Sequence, residues 1–136
     1  MTAAAWLLPT MGPMGRLVLV VEDDPDQRRF MERALGAAGW RVITAPDGEA
    51  GVRVAEAERP TVIVLDVMMP SMNGFQACRK LRQSATVGRT PILILTSKDQ
   101  PTDALWAKEV GADAFMHKPV DIHALLGTLE RLGGTA

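Results

Sequence analysis

A chain of 136 residues is long enough for one self-sufficient core and argues against a second folded domain. Fifteen Lys plus Arg against 16 Asp plus Glu leave a net charge of -1, with 47% hydrophobic and 23% charged residues. That balance gives no sign-biased field for nucleic acid or an anionic membrane surface. The lone cysteine, Cys78, excludes an internal disulfide and a multi-cysteine zinc site, and it fits a reducing, cytoplasmic setting. No stretch approaches the roughly 18 uninterrupted apolar residues of a membrane span.

Residues 1–15, MTAAAWLLPTMGPMG, carry no Lys or Arg before an apolar run that Pro9 breaks, which is not a secretory signal. Pro9, Gly12, Pro13 and Gly15 oppose helix and strand alike. The expectation is a disordered or artificial leader over 1–15 and a folded domain over 16–133.

From residue 16 the pattern alternates. Residues 17–21, LVLVV, read as a buried strand. Asp24-Pro25 then offers a cap and a first helical position. Phe30, Met31, Ala34, Leu35 and Ala38 gather on one helical face, and Gly39 stops the helix. Residues 42–45 form a second strand, Pro46-Asp47-Gly48 a turn, and 49–58 a helix with Ala50, Val54 and Ala57 inward. The third strand, 61–65, is apolar on both faces and runs into the loop DVMMPSMNG at 66–74. A helix over 75–83 buries Phe75, Cys78 and Leu81. Residues 92–95 make the fourth strand and 102–110 the fourth helix, closed by Gly111. On that helix Trp106 falls off the Ala104, Ala107, Val110 stripe and is expected at the surface. Residues 114–117 form a short fifth strand, and Asp121 caps a last helix carrying Ile122, Leu125, Leu126, Leu129 and Leu132. Strands apolar on both faces and joined through helices predict a parallel sheet covered on both sides. The doubly wound order 2-1-3-4-5 is the first choice.

In such a sheet ligands bind beyond the carboxyl ends of the strands, at the switch point. The first strand ends in Glu22-Asp23-Asp24 and its neighbour, the third, in Asp66. Converging carboxylates repel, and a hard cation removes that penalty; an all-oxygen set with a phosphate oxygen suits Mg²⁺, with Mn²⁺ as a substitute. The fourth strand supplies the hydroxyls of Thr96 and Ser97, and the fifth ends in Lys118, an ammonium suited to a phosphoryl oxygen. Acids, a hydroxyl and an ammonium around one spot equip phosphoryl transfer, with Asp66 the better nucleophile and Glu22 and Asp23 better read as metal holders. Taken singly each has a plainer reading: Asp24 is a helix cap, and Asp66 a loop carboxylate. Their joint placement at successive strand ends is what those readings leave unexplained. Cys78 reads as a buried small hydrophobe, His117 and His123 as structural or exposed, and Met68, Met69 and Met72 as packing.

With LVLVVEDDP at 17–25, TVIVLDVMMPSMNG at 61–74, PILILTS at 91–97 and GADAFMHKP at 111–119, the chain resembles the receiver domains of two-component response regulators, single-domain chemotaxis regulators among them. The resemblance runs from residue 16 to about 132 and implies a flavodoxin-like (βα)5 fold. It implies that Asp66 accepts a phosphoryl group from a sensor histidine kinase or histidine phosphotransfer protein. Mg²⁺ would be held by Asp23, Asp66 and the Met68 backbone carbonyl, and by Glu22 through water. Thr96 and Lys118 would contact the phosphoryl oxygens, Phe115 would be the switch aromatic coupled to Thr96, and the Lys118-Pro119 bond would be cis. The partners implied are that kinase and a downstream protein target, with no direct nucleic-acid or membrane contact, and with room for a phosphorylation-dependent homodimer. The output face would include Trp106 and Lys108 on the fourth helix.

Three departures bear on this. Phe115 lacks a hydroxyl. Met68 stands two residues past Asp66, where a thioether orients water poorly, which predicts slow self-dephosphorylation. Many relatives carry an output domain, whereas this sequence stops after one domain, which fits either a stand-alone regulator or a piece of a larger protein. The rival readings are a phosphorylation-independent pseudo-receiver, a small aspartyl-phosphate hydrolase, for which Met68 replaces the expected acid, and a flavin carrier, whose phosphate the acids after the first strand would repel. None of the readings is a turnover enzyme except the hydrolase.

Overall fold

A computed structural model describes residues 16–97 and 101–133; the expected leader lies outside them. Five strands alternate with five helices among the described residues: β1 (Leu17–Val21), α1 (Pro25–Ala37), β2 (Arg41–Ala45), α2 (Gly48–Glu58), β3 (Val62–Asp66), α3 (Gly74–Arg82), β4 (Ile92–Thr96), α4 (Pro101–Glu109), β5 (Ala114–His117) and α5 (Ile122–Leu132). All pairings are parallel, in the order β2-β1-β3-β4-β5. This is the expected doubly wound sheet.

Two apolar layers explain why the strands read as unbroken hydrophobic runs. Side chains alternate across a strand, so each of these strands must feed both faces. Leu19, Val21, Ile63, Leu65, Ile92 and Ile94 pack on the side of α2, α3 and α4, with Ala55, Cys78, Leu81 and Ala107. Val18, Val20, Val62, Val64, Leu93 and Leu95 pack on the side of α1 and α5, with Leu35, Leu125 and Leu129. Burying one such Leu or Ile side chain is worth about 1.5–3 kcal/mol, so a one-residue slip in register would be costly on both faces at once.

Caps fix where the helices start. Asp24 precedes Pro25 and accepts from the Asp26 N–H at 3.3 Å. Asp47 accepts from the Ala50 N–H at 2.8 Å, so the expected turn at 46–48 is the cap of α2. Asn73 and Gln76 close a reciprocal capping box at 2.9 Å each way, which ends the loop after β3. Gly39 and Gly111 follow their helices at φ +99° and +89°, a region that favours glycine.

Three helical faces differ from the expected ones. On α1 only Met31 and Leu35 are buried; Phe30 is 55% exposed and Ala38 lies at the surface. The sheet covers one narrow band of that helix, and Phe30 sits at its edge beside Pro119 and Val120. On α2 the buried residues are Gly48, Gly51 and Ala55, and Ala57 is exposed. Gly51 is required there because a Cβ would come within 2.8 Å of the Val21 side chain. On α4 the inward set is Asp103 and Ala107, continued by Val110 just past its end, while Ala104 is exposed. A carboxylate takes a core position there that periodicity assigned to alanine.

Candidate functional site

The register sets the strand ends side by side. Val21 lies opposite both Ala45 and Leu65, Asp66 opposite Leu95, and Thr96 opposite His117. Backbone bonds carry the alignment one residue further: Glu22 N–H donates to the Ala45 carbonyl at 3.0 Å, and Lys118 N–H to the Thr96 carbonyl at 2.7 Å. Residues far apart in sequence are thereby brought to one edge of the sheet.

Carboxylate oxygens of Glu22, Asp23 and Asp66 lie within 4.8 Å of one another. Glu22 and Asp66 are buried and Asp23 is exposed. Lys118 Nζ reaches into the cluster, 2.8 Å from Glu22 Oε1 and 3.1 Å from Asp66 Oδ1. It also donates to Gln27 Oε1 at 2.7 Å. The Lys118-Pro119 peptide bond is cis. Arg28 ties the end of β1 to α1 by donating to the Glu22 carbonyl at 2.8 Å.

One ammonium does not neutralise three acids. Burial raises the pKa of Asp66 above its ordinary value against the pull of Lys118, and Asp23 raises it further. Burial also raises Glu22, with Lys118 opposing and Asp66 reinforcing. For Lys118 burial works downward, but its bond to Glu22 and the charges of Asp66 and Glu22 outweigh it, so its pKa is raised. The cluster is therefore an electrostatic deficit of positive charge, made only of oxygen donors. Such a donor set fits a small hard dication, and Mg²⁺ above the softer metals.

The flanking parts fall as follows. Thr96 is fully buried, and its hydroxyl donates to Asp103 Oδ2 at 3.4 Å. The Met68 backbone N–H favours the charged form of Asp66 against the effect of burial, while the Met68 side chain is exposed. The expected packing role therefore holds for Met69, which is buried, and in part for Met72, but not for Met68. Asp23, Met68 and Asp103 line one open cleft of about 530 Å³. Gly74 is needed beside it, because a Cβ there would stand 2.5 Å from the Asp66 carbonyl oxygen. Phe115 is half-buried against the core and meets His117 edge-on at 5.2 Å. Trp106 is 52% exposed, as expected from its place off the apolar stripe, and Lys108 is exposed too. Trp106 lines a groove of about 600 Å³ between α3 and α4 with Phe75, Arg79, Lys80 and Asp103.

Gln27, Arg28 and Asp103 were not legible as site residues. Each lies on a helix and reaches the strand ends only through the fold. For Asp103 the one signal available in sequence was its spacing, four residues before Ala107 and seven before Val110, which puts it on their face of α4 in place of Ala104.

Residues 18–130 match the response regulator receiver domain family. The chain belongs to that family. It is 40% identical over 112 residues to protein PilH of Pseudomonas aeruginosa, spanning 82% of this chain and 93% of PilH. It is 42% identical to the alkaline phosphatase synthesis transcriptional regulatory protein PhoP of Bacillus subtilis, but spans only 43% of that protein. Among solved structures, chemotaxis protein CheY4 of Vibrio cholerae matches with TM-score 0.81 and 37% identity over 85% of this chain and 97% of CheY4. The receiver domain of sensor histidine kinase PA1611 from Pseudomonas aeruginosa, with a magnesium ion coordinated in its active site cleft, matches with TM-score 0.82 and 31% identity over 89% of this chain and 99% of that one. A receiver domain is a signalling module of two-component systems rather than a turnover enzyme, and phosphorylation and Mg²⁺ binding in an acidic pocket are general to the family. No helix of the described residues is long and apolar enough to cross a membrane.

Proposed function

We propose that residues 16–133 act as a phosphorylation-controlled switch in which Asp66 takes a phosphoryl group from a histidine kinase or a histidine phosphotransfer protein in the cytoplasm. The observation that carries this reading is the convergence of the Glu22, Asp23 and Asp66 oxygens within 4.8 Å, with the Lys118 ammonium 3.1 Å from Asp66. Met68 stands where a hydrolase would carry its second acid, and a pseudo-receiver gives no reason for Glu22, Asp23, Asp66, Thr96 and Lys118 to occur together.

In the transfer step a carboxylate oxygen of Asp66 attacks phosphorus. The bond from phosphorus to the donor's histidine nitrogen breaks, and its electron pair leaves with the imidazole. Glu22, Asp23, Asp66 and the Met68 carbonyl would hold Mg²⁺, or Mn²⁺ in its place, which supplies charge neutralisation at the phosphoryl oxygens. Lys118 is already at bonding distance from Asp66 and shifts its ammonium towards the new dianion. Thr96 supplies a hydroxyl to the same group, and Phe115 follows into the space Thr96 leaves. The face of α4, β5 and α5 then changes, with Trp106 and Lys108 offered to a downstream protein. The exposed thioether of Met68 orients water poorly, so self-dephosphorylation is slow, and a phosphoryl half-life of seconds in Mg²⁺ buffer would count against this.

The test is intact mass after incubation with Mg²⁺ and a small phosphodonor such as acetyl phosphate. The wild type gains one phosphoryl group and Asp66→Asn gains none. No gain in either protein favours the pseudo-receiver, and equal gain in both moves the acceptor elsewhere.

A further inference from the structure

We propose that Asp103 is a positioning residue that competes with the phosphoryl group on Asp66 for the single hydroxyl proton of Thr96. The inference rests on the reading of Asp66 as phosphoacceptor and adds what opposes the switch.

A threonine hydroxyl has one proton to donate. Here it goes to Asp103 Oδ2, at 3.4 Å. A carboxylate in water would make a weak competitor, but Asp103 is only 8% exposed and Thr96 is fully buried. At 3.4 Å the bond is long for a hydroxyl and a carboxylate, but little water reaches it to compete. When Thr96 turns its proton to a phosphoryl oxygen, it must break with Asp103. One anion is exchanged for another, and the exchange sets how far the protein goes over.

The placement of Asp103 gives the exchange a destination. Its side chain lines both the cleft that holds Asp23 and Met68 and the α3–α4 groove that holds Arg79, Lys80 and Trp106. A buried carboxylate that loses its donor is costly until it finds another. The groove offers cations, and neither Arg79 nor Lys80 has an ion pair among the described residues. Trp106 stands one turn beyond Asp103 on the same helix. Movement of Asp103 into the groove therefore carries the state of Asp66 to Trp106.

Beryllofluoride, which mimics an aspartyl phosphate, measures the competition when titrated calorimetrically into the full chain at saturating Mg²⁺. Removing the competitor in Asp103→Ala tightens binding by about three- to ten-fold, the worth of one such hydrogen bond. Asp103→Asn keeps a neutral acceptor and tightens it less. Neither substitution tightens binding when Thr96→Ala is also present. An acid that merely favours the first turn of α4 would change folding stability without this dependence on Thr96. Equal or weaker binding by Asp103→Ala overturns the proposal, as does the same tightening in the Thr96→Ala background. Should Asp103→Ala not fold, Asp103→Asn decides by the same two comparisons. Failure of the wild type to bind beryllofluoride, or equal binding by Asp66→Asn, overturns the phosphoacceptor reading and this proposal with it.

Discussion

The two ends of the sheet hold the same chemical types in opposite electrostatic states. At the amino ends of β4 and β5, Arg82 and Asp113 form a closed clasp. Arg82 donates to Asp113 at 2.6 Å and to the carbonyls of Gly111 at 2.9 Å, Gly88 at 3.3 Å and Thr90 at 2.6 Å. The same Asp113 oxygen accepts from the Ile92 N–H at 2.8 Å. Cation and carboxylate are both satisfied, and the clasp holds the β4–α3 corner. At the carboxyl ends, Lys118 faces three acids and cannot neutralise them, and burial raises both Glu22 and Asp66. A satisfied polar network stabilises; an unsatisfied one is a site waiting for charge.

The sharpest way to break the comparison is to disturb the packing that holds the unsatisfied end in place. In Gly74→Ala the new methyl meets the Asp66 carbonyl, which cannot give way without moving β3. The expected cost is about 3 kcal/mol by urea unfolding, together with loss of phosphoryl uptake. Arg82→Ala opens the clasp and is expected to destabilise by about 2 kcal/mol, discounted because both partners are partly exposed. Its phosphoryl uptake is expected to survive, since among the described residues no Arg82 bond reaches the acidic cluster.

Asp66→Asn acts in the opposite direction. The folded pKa of Asp66 lies above its unfolded value, so the fold favours the protonated acid. That stabilisation is full below the unfolded pKa and is lost as pH rises through the folded one, so at neutral pH the charged carboxylate works against folding. The amide is therefore expected to raise the melting temperature at neutral pH without metal, an effect on the order of 1 kcal/mol. Mg²⁺ should raise the melting temperature of the wild type and leave the variant nearly unchanged.

The smallest effect at neutral pH comes from Cys78, buried in the α3 face of the core with its pKa pushed up to about 11 by burial. The protonated thiol is the form the fold favours, so its contribution is intact below pH 9 and is lost as pH rises towards 11. Stability measured across that range should fall, and a disulfide-exchange reagent should fail to label the native protein at pH 8. Labelling of the folded protein at native rates would show that the packing around Cys78 is looser than its burial implies.

Much of this was legible in the sequence because local rules and global fold agree. The β-branched runs named the strands, Asp24-Pro25 and Asp121 named two helix starts, and LVLVVEDDP, TVIVLD and HKP named the strand ends that meet. The misreadings have one cause. Phe30, Ala57 and Ala104 were set inward by periodicity alone, yet periodicity gives a stripe and not its width. How much of a helix is covered depends on the neighbour it packs against, and that neighbour is distant in sequence.

Sequence by itself determined the order of elements, the parallel sheet and the identity of the acids, hydroxyl and ammonium at its carboxyl edge. Those depend on side-chain alternation, caps and breakers, which act over a few residues. Tertiary structure decided that Lys118 bridges Glu22 and Asp66, that Gln27 shares it, and that Asp103 leaves solvent to hold Thr96. Each of those contacts joins separate helices and strands across the register of the sheet, and no local rule fixes how two buried charges divide one donor.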